Sequence, residues 1–181
     1  MTRAVALTVF ALHFLLLTLA VPAVAQSDAS EEQRLAKFKA IFIYNFIEYV
    51  KWPESKREGP LIIGILGESD VAPYLHRIIA KRKDNKRPLV VEVHAPEDDL
   101  SACHVLFVPT AFDKELKKLH KELVAAHVML VGEAEDAAKR GASISFKLVK
   151  GKLKFEINPK NLAAAELHMS SHLLRLGLIV D

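Results

Sequence analysis

The sequence has a single cysteine, Cys103, among its 181 residues, so the chain cannot form an intramolecular disulfide. It also has little glycine, and the pair Gly64 and Gly67 lacks the third glycine of a dinucleotide-binding loop, which favours a plain turn. Neither sign of charge dominates, since 25 basic residues face 22 acidic ones, and this balance argues against a nucleic acid partner. Internal repeats and low-complexity tracts are missing too. These absences leave a fold that is stabilised by its hydrophobic core alone.

An assembled catalytic or metal-binding set is also missing. Ser170 and Ser171 lie outside a G-x-S-x-G elbow, and a helix N-cap explains them better. His168 and His172 are four residues apart and could present two imidazoles to a metal from one helix, but no complete ligand set accompanies them. We therefore expect no enzyme activity, no cofactor and no metal site.

The N-terminus has the layout of a secretory signal peptide. Arg3 supplies a positive start, Ala4 to Ala20 form an apolar core, and Pro22 precedes the small residues Ala23 and Ala25 of an A-x-A cleavage site. An uncleaved membrane anchor is the alternative, but the apolar stretch is at the short limit for a span. We expect a signal peptide over residues 1–25, cleavage after Ala25, and localisation in the periplasm.

Residues 26–181 have the length of one compact domain, in which apolar strands alternate with amphipathic helices. This alternation is typical of parallel βαβ units. The capping-box pattern of Thr110 and Asp113 predicts the start of a further helix. The predicted strands are Leu61 to Leu66, Leu89 to Val93, His104 to Val108 and Val128 to Val131, and the other predicted helices are Glu31 to Lys51, Val71 to Lys81, Pro96 to Leu100 and Glu133 to Lys139.

The last third of the chain predicts an antiparallel hairpin. Apolar and polar residues alternate through Ile144 to Leu148 and again through Leu153 to Ile157, with a turn at Lys150-Gly151. Asn158, followed by Pro159, predicts a helix start, and a final apolar helix follows Ser170. The fold class expected is α/β: a three-layer sandwich with a mixed sheet, mostly parallel with an antiparallel hairpin edge.

Two helices carry more apolar surface than one domain usually buries. The first is apolar nearly all round, and the C-terminal segment Leu173 to Ile179 has few charges. We therefore expect a homodimer, with a dimer or partner interface formed from these helices. The candidate residues are Phe46, Tyr49, Trp52, Leu173, Leu174 and Leu176. The basic run from Lys81 to Arg87 is more typical of a solvated loop than of a surface for anionic headgroups or an acidic partner.

Several segments resemble one known family. The run from Phe38 to Pro53, an aromatic helix that ends in Trp-Pro, resembles the opening signature of the YfiR family of periplasmic proteins. Cys103 to Val108 resembles its central strand, and Gly141 to Asn158 and Ser170 to Leu176 resemble its C-terminal pattern. The resemblance covers nearly all of the chain after the predicted signal peptide.

This resemblance implies a non-enzymatic repressor that binds the periplasmic sensor region of an inner-membrane diguanylate cyclase, with an outer-membrane lipoprotein that relieves the repression. Repression would lower cyclic-di-GMP and biofilm formation. The namesake type has paired cysteines that form disulfides, whereas here only Cys103 matches a cysteine position of the family. A periplasmic small-ligand-binding domain that serves a sensor or transporter is the alternative, and such a domain should enclose a pocket of about 300 to 1,000 Å³.

The signal-peptide hypothesis predicts that the exported protein begins at Gln26. Ala23 and Ala25 fit the subsites of signal peptidase, so cleavage should follow Ala25. Intact-mass measurement of the protein recovered from the periplasm checks this. Recovery of that protein with residues 1–25 still attached would contradict the hypothesis.

Overall fold

A computed structural model describes residues 24–83 and 87–181, with side chains from Ser30 onward. The predicted signal peptide, apart from its last two residues, and Asp84 to Lys86 of the basic run lie outside the described residues. The chain divides into two units, one that ends at Arg34 and one that comprises Leu35–Asp181. In the first, Arg34 and Glu31 form an exposed ion pair of 2.6 Å, one helical turn apart.

The elements follow the chain as five α-helices and nine strands within the described residues. The helices are α1 (Val24–Tyr49), α2 (Val71–Ala80), α3 (Leu116–Leu123), α4 (Pro159–Ala164) and α5 (Ser171–Leu176). The strands are β1 (Val50–Lys51), β2 (Leu61–Leu66), β3 (Leu89–His94), β4 (Val105–Val108), β5 (Met129–Gly132), β6 (Ile144–Val149), β7 (Lys152–Ile157), β8 (His168–Met169) and β9 (Leu178–Ile179). Short 3₁₀ segments occur at Glu54–Lys56, Thr110–Glu115 and Ala137–Arg140. Over the described residues, none of these helices combines the length and apolar character needed to span a membrane.

Seven strands form one mixed sheet in the order β3-β2-β4-β5-β6-β7-β9. Neighbours from β3 to β6 are parallel, β6 and β7 form an antiparallel hairpin, and β9 is parallel to β7. The uninterrupted apolar runs of β2, β4 and β5 suit strands that are covered on both faces. The other two strands, β1 and β8, form a separate antiparallel ribbon. The predicted mixed α/β fold is confirmed.

Helix α1 covers one face of the sheet. Ala40, Ile43 and Phe46 are completely buried, in a core that also contains apolar side chains of the parallel strands. Four aromatic rings make the closest part of this contact, with centroids 5.2 to 6.3 Å apart in offset and tilted arrangements that favour aromatic pairs. They belong to Phe42 and Phe46 of α1, Phe146 of β6 and Phe155 of β7.

Helix α3 belongs to the core of the opposite face. Leu116, Leu119 and Leu123 recur at helical spacing and are all buried in a second cluster with Leu106 of β4 and Leu130 of β5. The sheet therefore lies between two layers of helix, as the three-layer prediction requires.

The local signals of the last third are also confirmed. Lys150 and Gly151 both have positive φ, 51° and 70°, the backbone that a two-residue hairpin turn with the right twist demands. The Asn158 side chain accepts hydrogen bonds from the backbone of Lys160 and Asn161, and Ser170 accepts one from Leu173.

Three short elements differ from their predictions, and hydrogen bonds of side chains account for the first two. Pro96 to Leu100 form turns, not a helix: Asp98 accepts from the Ala95 amide and Asp99 from the Ser101 amide, which competes with helix formation. The Thr110–Asp113 capping box is wrong, since the Thr110 hydroxyl donates to Glu133 and a 3₁₀ segment precedes α3. The predicted helix over Glu133 to Lys139 is only the 3₁₀ segment Ala137–Arg140.

The first helix, Val24–Tyr49, starts earlier and ends earlier than the predicted range of Glu31 to Lys51. Its last two predicted residues, Val50 and Lys51, are extended and pair with Met169 and His168. This change of conformation suits the chain ahead of Pro53, because residues before a proline avoid the helical region.

The loop that follows Trp52 is attached to the sheet through His104, which is 4% exposed. His104 Nδ1 accepts the amide hydrogen of Ile62 at 3.2 Å, and its Nε2 lies 2.9 Å from the Lys56 carbonyl oxygen. An acceptor at Nδ1 places the ring proton on Nε2, so the geometry selects the neutral imidazole with Nε2–H donating to Lys56. The edge of the Trp52 ring packs against the same imidazole, with centroids 5.7 Å apart.

This arrangement predicts a loss of stability in mild acid. Burial lowers the pKa of His104 below its usual 6.5, so the unfolded chain binds a proton that the folded chain resists. Stability should be intact above about pH 6.5 and fall below it, by at most about 1.4 kcal/mol per pH unit from this group. Denaturant titrations of the unmodified protein and His104→Asn, which keeps an acceptor for Ile62, check this. The fall in the free energy of unfolding with decreasing pH should become shallower in His104→Asn and stay the same in the exposed control His76→Asn. An equal dependence on pH in all three proteins would contradict the role of His104.

Candidate functional site

An aromatic ring lies at the crevice where open α/β sheets usually bind ligands. Strands β3 and β4 lie on opposite sides of β2, so the topological switch point is at the carboxyl ends of β2 and β4. Gly67 follows β2 there with φ +69°, and a Cβ on it would lie 2.4 Å from the Phe112 ring. The phenyl ring thus occupies the place above Gly67. Gly67 lies in the predicted turn, whereas Gly64 lies within β2 and pairs with Glu92 and Leu106.

Polar groups near this end of the sheet bond to one another. Lys39 of α1 contacts Glu133, which follows β5, at 2.8 Å, and the other Glu133 oxygen accepts from the amide and hydroxyl of Thr110. Burial acts to raise the pKa of Glu133, but the Lys39 ammonium and the Thr110 donors outweigh it and hold the pKa below its usual value. A stable carboxylate with all these bonds is suited to joining α1 to the sheet rather than to proton transfer.

Cys103 lies where a reactive thiol would not be placed. It is fully buried, its Sγ is 3.6 Å from His94 Nε2, and burial raises the pKa of the thiol to about 11. At neutral pH the group is therefore a protonated thiol, a poor nucleophile and a poor metal ligand.

The two histidines considered as a metal pair do not share a helix. His168 is in β8 and His172 is in α5, where its ring lies 5.5 Å from that of Tyr49. Over residues 24–83 and 87–181, no group of three or more His, Cys, Asp or Glu residues could hold a metal ion.

The six candidate interface residues separate by burial. Phe46, Trp52 and Leu173 are buried in the core, at 0, 6 and 3% exposure, and so are not accessible to a partner. Tyr49 and Leu176 are exposed and Leu174 is half-buried. Of the six candidates, only Tyr49, Leu174 and Leu176 are therefore accessible to a partner.

Exposed apolar side chains cluster around α5, and we call this surface the C-terminal patch. It comprises Tyr49, His172, Leu176, Leu178 and Ile179, of which Leu176 is 57% and Ile179 is 55% exposed. Contact between the Tyr49 and His172 rings joins α1 to α5, and Leu176 lies one helical turn beyond His172 on the same face. Leu178 and Ile179 form the edge strand β9, where the sequence predicts the end of the final helix. As neighbours in a strand they point to opposite faces, so they add exposed apolar surface on both sides of this edge.

Backbone hydrogen bonds hold the patch in place. The β1–β8 ribbon pairs Val50 with Met169, and the Ser170 amide donates to the Tyr49 carbonyl at 2.8 Å. On the other side of α5, Gly177 passes so close to Ile157 that a Cβ on it would lie 2.4 Å from that side chain. Sequence reasoning identified the apolar residues of this region but had no signal for the ribbon that brings Tyr49 to α5.

An open groove of about 700 Å³ lies beside the ribbon. Its walls combine apolar side chains with the cations of Lys51 and Arg57 and the carboxylate of Glu166. Trp52 also lines it, and within the described residues its buried Nε1 has no hydrogen-bond partner. The remaining lining residues are Pro53, Pro159, Leu162, Ala163, Leu167, His168, Met169 and Leu174.

One solved structure gives a comparison of folds. The crystal structure of a conserved domain protein from Vibrio cholerae O1 biovar El Tor is similar, with a TM-score of 0.55 at 13% sequence identity. The match covers 81% of this chain and 60% of that one, so this chain spans less than two thirds of its length. A likeness at this identity supports the fold alone. None of the curated proteins matches the sequence.

The sequence also matches a protein family directly. The match is to the YfiR/HmsC-like family and extends over residues 36–177, from α1 to the end of α5. It includes the first helix with the Trp52-Pro53 pair that follows it, the central strand and the C-terminal segment, as the resemblance predicted. The chain belongs to the YfiR/HmsC-like family.

Proposed function

We propose that the protein is a non-enzymatic periplasmic regulator, made with a signal peptide over residues 1–25. It binds the periplasmic sensor region of an inner-membrane diguanylate cyclase and represses it, which lowers cyclic-di-GMP and biofilm formation. An outer-membrane lipoprotein relieves the repression by binding the regulator. Family membership supports this role, and the observation that carries it is the C-terminal patch.

The patch has the properties of a protein-binding surface. It combines exposed leucine and isoleucine side chains with one exposed aromatic ring, Tyr49, and Arg175 is exposed on the same helix as Leu176. Aromatic and apolar anchors with a polar rim are typical of such interfaces. The ribbon and the buried Leu173 hold these side chains in position, so little order has to be gained on binding.

Chemistry elsewhere gives less support to catalysis. The Phe112 ring lies over Gly67 at the switch point, Glu133 is bonded to Lys39 and Thr110, and the Cys103 thiol stays protonated. One thiol does lie next to an imidazole, Cys103 beside His94 at 3.6 Å, but burial keeps this thiol protonated, so the pair lacks an activated nucleophile.

Binding through the patch predicts the effect of a charge at its centre. Leu176→Glu should weaken capture of the cyclase by about tenfold or more, because an apolar anchor would become a buried unpaired charge. Folding should be unaffected, since the Leu176 side chain is more than half exposed. Leu148→Glu is the matched control, because Leu148 is 49% exposed on the hairpin, away from the patch.

The measurement combines a pull-down from membranes with complementation. In a strain that lacks the gene, cyclic-di-GMP should rise, and the unmodified protein and Leu148→Glu should lower it again while Leu176→Glu should not. Circular dichroism should be the same for all three proteins. Cyclic-di-GMP that stays constant on deletion, with the cognate cyclase as the sole active one, would rule out repression.

A small-ligand-binding domain is the second candidate, and the groove supports it. Its volume is in the range of ligand pockets, and the Lys51 and Arg57 cations suit a ligand with a carboxylate. Its open form and the exposed patch favour the regulator, since ligand pockets usually enclose most of their ligand.

The groove allows a direct optical test, because Trp52 is the one tryptophan of the chain. Titration with small aliphatic and aromatic carboxylates should change the emission of Trp52 if the groove binds them. Lys51→Gln should weaken that response by about tenfold through the lost charge, and the exposed control Lys154→Gln should not. Emission that stays constant with every carboxylate would exclude this class of ligand.

A further inference from the structure

Strand β3 is an edge of the main sheet with its outer side open. It is the first strand of the sheet order, and in the described residues no strand pairs with its other side. The bonds from Leu61 N to the Pro88 oxygen and from Gly67 N to the His94 oxygen fix how β3 bonds to β2. By the alternation of a parallel ladder, Val90 and Glu92 point their backbone groups to β2, and Leu89, Val91 and Val93 point theirs outward.

The side chains of this edge do little to prevent another strand from pairing. Val93 is 55% exposed and Val90 is 37% exposed, on opposite faces of the strand. Edge strands are usually protected by lysine, by proline, by a bulge or by a covering loop. β3 has neither lysine nor proline between Leu89 and His94, and Glu92 is its one acidic residue.

The two ends of β3 carry opposite charges. Lys81 and Lys83 are exposed ahead of the strand, and the Arg82 side chain between them donates to the Arg87 carbonyl, just before β3 begins. Glu97, Asp98 and Asp99 are exposed just after the strand, and the Asp98 carboxylate accepts from the Ala95 amide, which holds this loop at its end. The strand thus has a basic end and an acidic end.

We propose that a second copy of this chain pairs with β3 along this edge, antiparallel and about a two-fold axis near Val91. An axis at Val91 sets Val91 opposite Val91 and Leu89 opposite Val93 on one face, so apolar side chains meet across the interface. The same symmetry sets the basic end of each copy against the acidic end of the other. A strand with opposite charges at its ends is complementary to itself only in this antiparallel arrangement, which is why the occupant is a second copy.

This interface leaves the C-terminal patch free. β3 and β9 are the opposite edges of the seven-stranded sheet, so a dimer through β3 extends the sheet and keeps both copies of the patch available to a partner. The proposal also moves the expected dimer contact from the helices to the sheet.

The first test is the oligomeric state of the exported protein by analytical ultracentrifugation. Val93→Lys should weaken dimerisation by about tenfold, because two leucine–valine pairs of the symmetric interface would be lost. Leu148→Lys, a similarly exposed residue on the hairpin, should leave the dimer unchanged. A monomer at every concentration of the unmodified protein would overturn the proposal, as would a dimer that is lost with Leu176→Glu and kept with Val93→Lys.

The second test uses charges that have no bonding partner among the described residues, so folding should not change. Lys83→Glu alone and Glu97→Lys alone should each weaken the dimer, and the double variant should restore much of it, because the exchanged positions at the two ends then carry opposite charges again. Equal affinities for all four proteins would contradict the antiparallel arrangement.

Hydrogen exchange locates the contact directly. The Val91 and Val93 amides should become protected as protein concentration rises, and protection should be lost in Val93→Lys. Protection that appears only when a membrane extract is added would assign the edge to a different protein and overturn the self-pairing.

Discussion

Burial of α1 on the parallel sheet is the constraint on which the rest of the structure depends. Ala40, Ile43 and Phe46 have no exposure, and full burial of the last two alone contributes roughly 3 to 6 kcal/mol before the cost of ordering is deducted. The ion pair of Lys39 with Glu133 also fixes the position of the helix relative to the end of β5. Because α1 cannot slide, the position of its last residue, Tyr49, is determined as well.

Much of the fold could be predicted because its signals are local. Runs of apolar residues predict the buried strands, and the alternation of apolar and polar residues predicts the hairpin. Lys150-Gly151 suits a tight turn, and Asn158 and Ser170 suit helix N-caps. Predictions failed where a side chain serves a distant partner. Thr110 resembles a helix cap in sequence, but its hydroxyl is used by Glu133, and only the assembled sheet brings those residues together.

The sequence predicted which apolar residues belong to the region of the candidate site, but not which of them are exposed. Phe46 and Trp52 are as apolar as Tyr49, and helical spacing could not separate the side of α1 that the sheet covers from the end that stays open. Leu178 and Ile179 look like the close of an amphipathic helix, yet they form an exposed edge strand because Gly177 lets the chain run close to Ile157. Pairing between β1 and β8 needs two-residue strands, which are too short to leave a periodic signal.

The C-terminal patch joins residues that are far apart along the chain, since Tyr49 ends the first helix and Leu176 ends the last. Neither end of the chain has this surface by itself. A polypeptide that is still emerging, or one truncated before α5, would lack this surface. Under the proposed function, binding of a partner therefore depends on a chain that is complete as far as α5 and folded.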